Sequence, residues 1–254
     1  MTRTPLAALA LSTALIATPF LAGPAAAFDP ASMSKTDQAA FGDAVRDYLM
    51  ANPEVLVEAI GVLETRQQAA EAGNDKVLVQ ANAADIFDDA NSWVGGNPDG
   101  DITVVEFLDY RCTYCRKATS EVDTLINTDG NIRFVIKEFP ILGQESELSS
   151  RFAIAVKQLA GDDAYKAAHD ALMEFRGAIT LDSLSRLAKD LGQDPAPIML
   201  RMNEDSVSDV LRANRQLGER MRISGTPAFV MGGQMLRGYL PVDGLRQIVA
   251  EERG

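Results

Sequence analysis

A pair of cysteines placed where a strand meets a helix is the feature that most constrains this chain. Cys112 and Cys115 are the only cysteines among 254 residues, and they lie in one Cys-Thr-Tyr-Cys unit. Residues 102–110, directly before them, are β-branched, aromatic and nearly uninterrupted, which is typical of a buried parallel strand. The apolar residues that follow have helical spacing: Cys115, Ala118, Val122, Leu125 and Ile126. The pattern therefore predicts that Cys112 stands at the N-terminus of a helix.

That position favours redox chemistry. The unpaired backbone N–H groups and the dipole of a helix N-terminus stabilise a thiolate, which is the form of cysteine that attacks disulfides. A second cysteine one turn later can resolve the mixed disulfide that results. A structural disulfide across so short a loop would add little stability, and structural zinc needs four ligands where cysteine and histidine together number three. Copper(I) stays open as an alternative, because two thiolates could suffice for it.

The N-terminus has the pattern of a signal peptide. Arg3 precedes an apolar run over residues 6–21, and the small residues Ala25-Ala26-Ala27 follow it. A charged start, a short apolar segment and such an ending predict a secretory signal peptide over residues 1–27. The alternative is a membrane anchor, but the run is short for a spanning helix and Pro19 interrupts it. We therefore predict export to the periplasm, where an oxidising environment lets a Cys-x-x-Cys pair hold or hand on a disulfide.

The charge of the chain excludes some partners. Lysine and arginine number 24 against 36 acidic residues, a net charge of −12. An acidic chain is repelled by phosphate backbones and anionic lipid surfaces. Nucleic acid is therefore not expected as a partner.

Residues 28–92 are predicted to form a helical extension separate from the rest. Asn52-Pro53-Glu54 breaks and restarts the helix. An apolar stripe runs along it: Phe41, Val45, Tyr48, Leu49, Leu56, Ile60 and Leu63. Such short helices make little core alone. The stripe either packs onto the main domain or buries against other copies of the chain, and we favour the second interpretation, a homo-oligomer through residues 28–92.

The rest of the chain, residues 93–254, follows an α/β order. Residues 93–101 are predicted as a turn region on the signal Asn97-Pro98-Asp99-Gly100. The first strand, the cysteine helix and a second strand over residues 132–138 make a βαβ unit with a parallel pair. A helical stretch then extends over about 144–222, followed by a hairpin around Gly232-Gly233 and a last amphipathic helix.

This order and its motifs resemble a known family. Residues 105–115 resemble the first strand and active site of DsbA-type thioredoxin-fold oxidoreductases, and residues 225–229, Gly-Thr-Pro-Ala-Phe, resemble their cis-proline loop. Residues 137–143 resemble the Com1-like branch, and residues 45–56 resemble the helical extension of ScsC-type proteins. The resemblance implies a thioredoxin fold of the α/β class, with an inserted helical subdomain and an N-terminal helical arm.

The resemblance also implies roles for residues around the cysteines. Glu106 matches the family's buried acid beneath the second cysteine, where it could relay a proton to Cys115; a glutamate facing solvent is the alternative. Thr226 and Pro227 would form a cis peptide whose backbone pairs with an incoming peptide as an added strand. An ordinary trans proline opening the next strand is the alternative there.

The prediction is an exported thiol:disulfide oxidoreductase in which Cys112 attacks and Cys115 resolves. Its partners would be cysteine-containing exported proteins and a membrane redox partner that recharges the pair. No cofactor or metal is expected, because electrons move through sulfur. The direction stays open among oxidase, isomerase and reductase, although Tyr114 stands where strongly oxidising relatives place a histidine. The one histidine, His169, is predicted to be a core or surface residue, and the alternative function is a copper(I)-binding or copper-tolerance protein.

Overall fold

A computed structural model describes residues 33–254. The predicted signal peptide, residues 1–27, lies outside the described residues. The chain divides into two compact units, one ending at Val62 and the other formed by Leu63–Gly254. None of the helices in the described part of the chain has both the length and the apolar character needed to cross a membrane.

The helices follow the pattern of apolar residues and breaks in the sequence. They are α1 (Lys35–Ala51), α2 (Glu54–Ala81), α3 (Ala83–Phe87), α4 (Thr113–Asp129), α5 (Gln144–Glu174), α6 (Leu181–Asp190), α7 (Pro195–Arg201), α8 (Asp205–Arg220) and α9 (Val242–Arg253). The expected break between α1 and α2 is present, with the Asn52 side chain donating to the carbonyl of Tyr48 at 2.8 Å. Gly161 kinks α5, because its positive φ of 85° leaves the helical region.

Within residues 33–254, five strands form one sheet. They are β1 (Trp93–Gly96), β2 (Ile102–Leu108), β3 (Ile132–Glu138), β4 (Ala228–Met231) and β5 (Gln234–Arg237), in the spatial order β1-β3-β2-β4-β5. Strands β2 and β3 are parallel and α4 connects them, so the predicted βαβ unit is confirmed. Strands β4 and β5 form the predicted hairpin, and helices α5 to α8 lie between β3 and β4 in the chain.

Strand β1 corrects the prediction that residues 93–101 are a turn region. Residues 93–96 pair with β3 in the antiparallel sense, opposite residues 133–136. Glycine normally weakens a strand, so Gly95 and Gly96 concealed this one. Here the indole of Trp93 occupies the space in which a Cβ at position 95 would lie.

Both faces of the sheet are covered. Alternate side chains of β2 point to opposite faces, so Val104 and Leu108 pack in one core cluster and Val105 and Phe107 in another. The second cluster contains Val79 and Ile86 from the chain before β1, together with Leu217, Met221 and Ile223. Residues 63–92, part of the predicted helical extension, thus belong to the same compact unit as the sheet.

Polar contacts tie this preceding segment to the sheet. Asp75 and the guanidinium of Arg237 form a two-pronged ion pair at 2.6 and 2.7 Å. The Lys137 ammonium, which is 1% exposed, donates to the carbonyl of Asp85 and to the carboxylate of Asp89, each at 2.7 Å. A buried lysine is costly unless its charge is paired, so these contacts hold α3 against the sheet.

Truncation of the α3 core residue tests this packing. Ile86 is fully buried, so Ile86→Ala should lower the free energy of unfolding by about 2–5 kcal/mol. Val77→Ala on the exposed side of α2 is the matched control and should change it by less than about 0.5 kcal/mol. Chemical denaturation of both variants measures the difference, and equal effects would mean that α3 contributes no core to the sheet.

Candidate active site

The segment that follows β2 is held in place by one carboxylate. Asp109 is fully buried, and its side chain accepts hydrogen bonds from the backbone N–H groups of Arg111 at 2.8 Å, Ile141 at 2.8 Å and Leu142 at 3.0 Å. These bonds join the end of β2 to the loop after β3. The turn that they fix leads directly into α4, and Cys112 is the N-cap residue of that helix.

The sulfur of Cys112 is surrounded by hydrogen-bonding groups. It accepts from the backbone N–H of Cys115 at 3.3 Å, and in its protonated form donates to the carbonyl of Thr226 at 3.2 Å. Hydrogen bonding from the Cys115 side chain, with further help from backbone N–H groups, outweighs burial and lowers the pKa of Cys112 to about 5. Cys112 is therefore a thiolate at neutral pH.

Cys115 is the opposite kind of thiol. It is fully buried, and burial first, then its hydrogen bond to Cys112 and the charge of Glu106, raise the pKa of Cys115 far above its ordinary value. The two sulfurs are not joined in a disulfide in this structure. The two cysteines, three residues apart, therefore differ in reactivity. The Cys112 sulfur can attack a disulfide, whereas the Cys115 thiol keeps its proton until a base removes it.

Glu106 lies inside the protein rather than facing solvent. It is 3% exposed, in the middle of β2, and its Oε1 has no hydrogen-bond partner within residues 33–254. Burial, followed by repulsion from Asp123 and Cys112, raises the pKa of Glu106 to about 8. A carboxyl with that pKa can gain or lose a proton near neutral pH, as proton transfer to or from a cysteine requires.

The loop before β4 completes the site. The Thr226–Pro227 peptide bond is cis, as expected from the sequence. The carbonyl of Thr226 faces the Cys112 sulfur, and the carbonyl of Pro227 accepts from the N–H of Gly238 at 2.9 Å. The structure therefore brings the predicted residues together around the C-terminal half of the central strand β2.

A buried polar network behind Cys112 was not predicted. Glu138 at the end of β3 accepts hydrogen bonds from the hydroxyls of Tyr110 at 2.7 Å and Tyr165 at 2.6 Å. The Tyr110 hydroxyl also lies 3.2 Å from Nδ1 of His169. Burial raises the pKa of Glu138 to about 7 and lowers that of His169 to about 3, so the histidine is neutral. His169 is thus a core residue, one of the two predicted settings.

The sequence signal for this network resembles the one that singled out Glu106. Glu138 ends a strand that is rich in β-branched and aromatic residues, and an acid in such a strand is expected to be buried only if it is paired or functional. Through Tyr110 the network fixes the backbone two residues before Cys112. Glu138 is therefore a supporting residue, whereas Glu106 is near enough to both sulfurs to interact with their charges.

The described residues offer no ready metal centre. Within residues 33–254, no group of three or more histidine, cysteine, aspartate and glutamate side chains is arranged to hold a metal ion.

The fold and this site together define a thioredoxin-fold thiol–disulfide oxidoreductase. Residues 103–250 match the family model of the DSBA-like thioredoxin domain, and the chain belongs to that family. Residues 37–70 match the model of the copper resistance protein ScsC N-terminal domain, so the N-terminal resemblance is confirmed as well.

Solved structures agree with this assignment. A thioredoxin-like oxidoreductase from Silicibacter pomeroyi DSS-3 is 36% identical with a TM-score of 0.63, over 67% of this chain and 96% of that one. BcfH of Salmonella enterica Typhimurium is 28% identical with a TM-score of 0.70, over 86% of this chain and 97% of that one. The second likeness includes most of the described residues.

Curated relatives differ in how much of their own length this chain matches. Disulfide bond formation protein D of Bacillus subtilis is 22% identical over 199 residues, covering 72% of this chain and 83% of that protein. The Na(+)/H(+) antiporter NhaA 1 of Salinispora arenicola is 27% identical over 161 residues, covering 61% of this chain. The chain spans only 24% of that antiporter, so the second likeness concerns a part of a longer protein.

The contrast between the two thiols gives a testable result. The alkylation rate of Cys112 should rise with pH through a midpoint near 5, while Cys115 stays unmodified at neutral pH. Cys115→Ala removes the largest stabilising hydrogen bond, so the midpoint for Cys112 should move up. Ser120→Ala, on an exposed position of the same helix, should leave the midpoint unchanged. Mass spectrometry after timed iodoacetamide labelling measures both sites, and a midpoint near 9 in the wild type would contradict the account.

Proposed function

We propose that this protein exchanges thiols and disulfides with cysteine-containing exported proteins in the periplasm. The observation that carries the proposal is the difference in pKa between Cys112, lowered to about 5, and the buried Cys115, raised far above its ordinary value. This difference fixes the order of events, because only Cys112 is a nucleophile at neutral pH. The signal-like residues 1–27 support export.

The reaction proceeds in two displacements. The Cys112 thiolate attacks a substrate disulfide, forming a mixed disulfide and releasing one substrate thiolate. Cys115 then gives its proton to the carboxylate of Glu106 and attacks the Cys112 sulfur. The products are a Cys112–Cys115 disulfide and the second substrate thiolate. Run in reverse, the same steps oxidise a dithiol substrate.

The loop at Thr226 and Pro227 positions the substrate. The Thr226 carbonyl lies within hydrogen-bonding distance of the Cys112 sulfur, so a peptide bound along this loop would have its own sulfur beside Cys112. An extended peptide can pair with exposed backbone as an added strand, and this pairing is tolerant of peptide sequence. Such tolerance suits an enzyme that acts on many exported proteins.

The proposed cycle uses sulfur alone and needs a recharging partner. Each net oxidation of a substrate leaves the cysteine pair reduced, and each net reduction leaves it oxidised. A membrane redox protein would restore the starting state of the pair. The redox state of the pair in cells, trapped by alkylation of the periplasmic fraction, decides the direction. A pair kept oxidised indicates an oxidase, and a pair kept reduced indicates an isomerase or reductase. Tight copper(I) binding without thiol exchange would favour the alternative function.

Substitution of the reacting residues tests the mechanism. Cys112→Ser should abolish insulin reduction. Glu106→Gln should still form the mixed disulfide but resolve it about 10²-fold more slowly, because Cys115 has lost its proton acceptor. The wild-type rate of resolution should rise with pH through about 8, the pKa of Glu106, and the variant should lack this rise. Glu219→Gln, an exposed acid on α8, is the matched control. Full activity of Cys112→Ser would disprove the mechanism.

We further propose that the N-terminal helices assemble copies of the chain. Helix α1 has no buried residue, and the apolar side chains of Val45, Tyr48, Leu56 and Ile60 are exposed. Burial of this stripe between protomers would remove that apolar surface from water. It would also place several active sites around one substrate, so that a second site meets the substrate at high effective concentration.

Loss of the stripe should convert the assembly to a monomer. Ile60→Glu places a charge on the stripe, whereas Gln67→Glu adds the same charge on the polar part of α2 as a control. A chain starting at Leu63 keeps Val79 and Ile86 in the core, so it should fold, exchange thiols and lack isomerase activity. Light scattering measures the masses, and a monomeric wild type at micromolar concentration would contradict the proposal.

A further inference from the structure

The side chain of Arg116 connects the turn before Cys112 to the end of α5. Arg116 follows Cys115 directly, one turn of α4 after Cys112. Its Nε donates to the carbonyl of Tyr110 at 2.8 Å, and its Nη1 donates to the carbonyl of Phe175 at 2.8 Å. Phe175 is the residue that caps the C-terminus of α5. We call these two side-chain hydrogen bonds the Arg116 bridge.

The backbone of Arg116 holds Cys112 as well. The N–H of Arg116 donates to the carbonyl of Cys112 at 3.2 Å, and the N–H of Cys112 donates to the carbonyl of Asp109 at 3.0 Å. Together with the bridge, these bonds fix the backbone on both sides of the nucleophile. The Cys112 sulfur lies 3.3 Å from the N–H of Cys115 and 3.2 Å from the carbonyl of Thr226, and both distances depend on the geometry of this turn.

The position of Arg116 is unfavourable for the stability of the fold. A cation is disfavoured near the N-terminus of a helix, and the Nη2 of Arg116 is buried without a hydrogen-bond partner among residues 33–254. Burial first, then repulsion from Arg111 and Arg176, lowers the pKa of Arg116, while Asp109 acts in the opposite direction. The C-terminal end of α5 attracts a cation and offsets part of this cost. Residues that break local rules in this way are typical of functional sites.

We propose that Arg116 is a positioning residue for the nucleophile, holding the turn at Tyr110 against the end of α5 so that the Cys112 sulfur stays beside the N–H of Cys115. The inference rests on the proposed exchange reaction and deepens it. Arg116 is not a catalytic residue, because it acts on the sulfur only through the backbone. Without the bridge, the Tyr110 carbonyl loses a charged donor and the turn gains freedom. The thiolate of Cys112 is then less well stabilised.

Alkylation of Cys112 in reduced full-length protein tests the bridge. Arg116→Ala should raise the pH midpoint of alkylation from near 5 by about one pH unit. It should also shift the equilibrium with glutathione about tenfold toward the oxidised protein, because a less stable thiolate makes the reduced protein less favourable. Mass spectrometry after timed iodoacetamide labelling measures the midpoint. The ratio of reduced to oxidised protein in glutathione buffers measures the equilibrium.

Matched variants separate the geometry of the bridge from its charge. Arg116→Lys keeps the charge but lacks the planar pair of donors, so it should retain most of the shift in the midpoint. Arg176→Ala removes an exposed guanidinium from the wall of a cavity of about 360 Å³ that Arg116 also lines, and it should leave the midpoint unchanged.

Chemical rescue provides a second measurement on the alanine variant. Guanidinium chloride at a non-denaturing concentration should restore the midpoint of Arg116→Ala, because the ion can enter through this cavity. Three acidic side chains that line the cavity favour entry of a cation: Asp123, Asp170 and Glu174. Sodium chloride at the same ionic strength should have no such effect.

The outcomes that overturn the inference are distinct from those that overturn the exchange reaction. A wild-type midpoint near 5 that is unchanged in Arg116→Ala overturns the bridge alone. A wild-type midpoint in Arg116→Lys, or an equal shift in Arg176→Ala, also overturns it, since charge would then be the cause. If Arg116→Ala fails to fold by circular dichroism, the midpoint of Arg116→Lys decides in the same way. A wild-type midpoint near 9 overturns the role of Cys112 in the exchange reaction, and the bridge with it.

Discussion

The hydrogen bonds that converge on the Cys112 sulfur at the start of α4 are the interaction on which the rest of the site depends. They exist because Asp109 fixes the turn that follows the C-terminal end of β2. The turn places Cys112 at the N-cap position of α4. The same first turn buries Cys115 completely. One local geometry thus lowers the pKa of one thiol and raises that of the other, and the sequence of displacements follows from this difference.

Two buried acids on neighbouring strands show how hydrogen bonding divides their roles. Glu106 and Glu138 are both 3% exposed. Two tyrosine hydroxyls donate to Glu138 and offset part of its burial, which leaves its pKa at about 7 and ties Tyr110 in place. Glu106 has an unpartnered Oε1 and a pKa of about 8, so it can exchange a proton without breaking a hydrogen bond there. The first acid supports the backbone, and the second serves the reaction.

The sequence predicted what local patterns encode. The change from strand to helix at Cys112, the parallel pair of β2 and β3 and the hairpin at Gly232-Gly233 follow from periodicity and turn residues. Strand β1 was not predicted, because glycine is unusual in strands and the contact between Gly95 and the indole of Trp93 forms only in the folded protein. The buried polar network was also not predicted, because its members are far apart in the sequence and meet only after folding. They are Tyr110, Glu138, Tyr165 and His169. The packing of Val79 and Ile86 against the sheet was not predicted either. These two residues lie in a long, polar, alanine-rich segment, and their partners in the sheet are distant in the sequence.

The most direct test of the central claim is the identity of the sulfur that first bonds to a substrate. Reduced full-length protein would be mixed with a labelled peptide disulfide at neutral pH, quenched with acid at early times, digested without reduction and mapped by mass spectrometry. We expect the peptide to be attached to Cys112 at every early time, because Cys115 is a buried thiol. Peptide attached to Cys115 in comparable amounts would contradict the division of roles between the two cysteines.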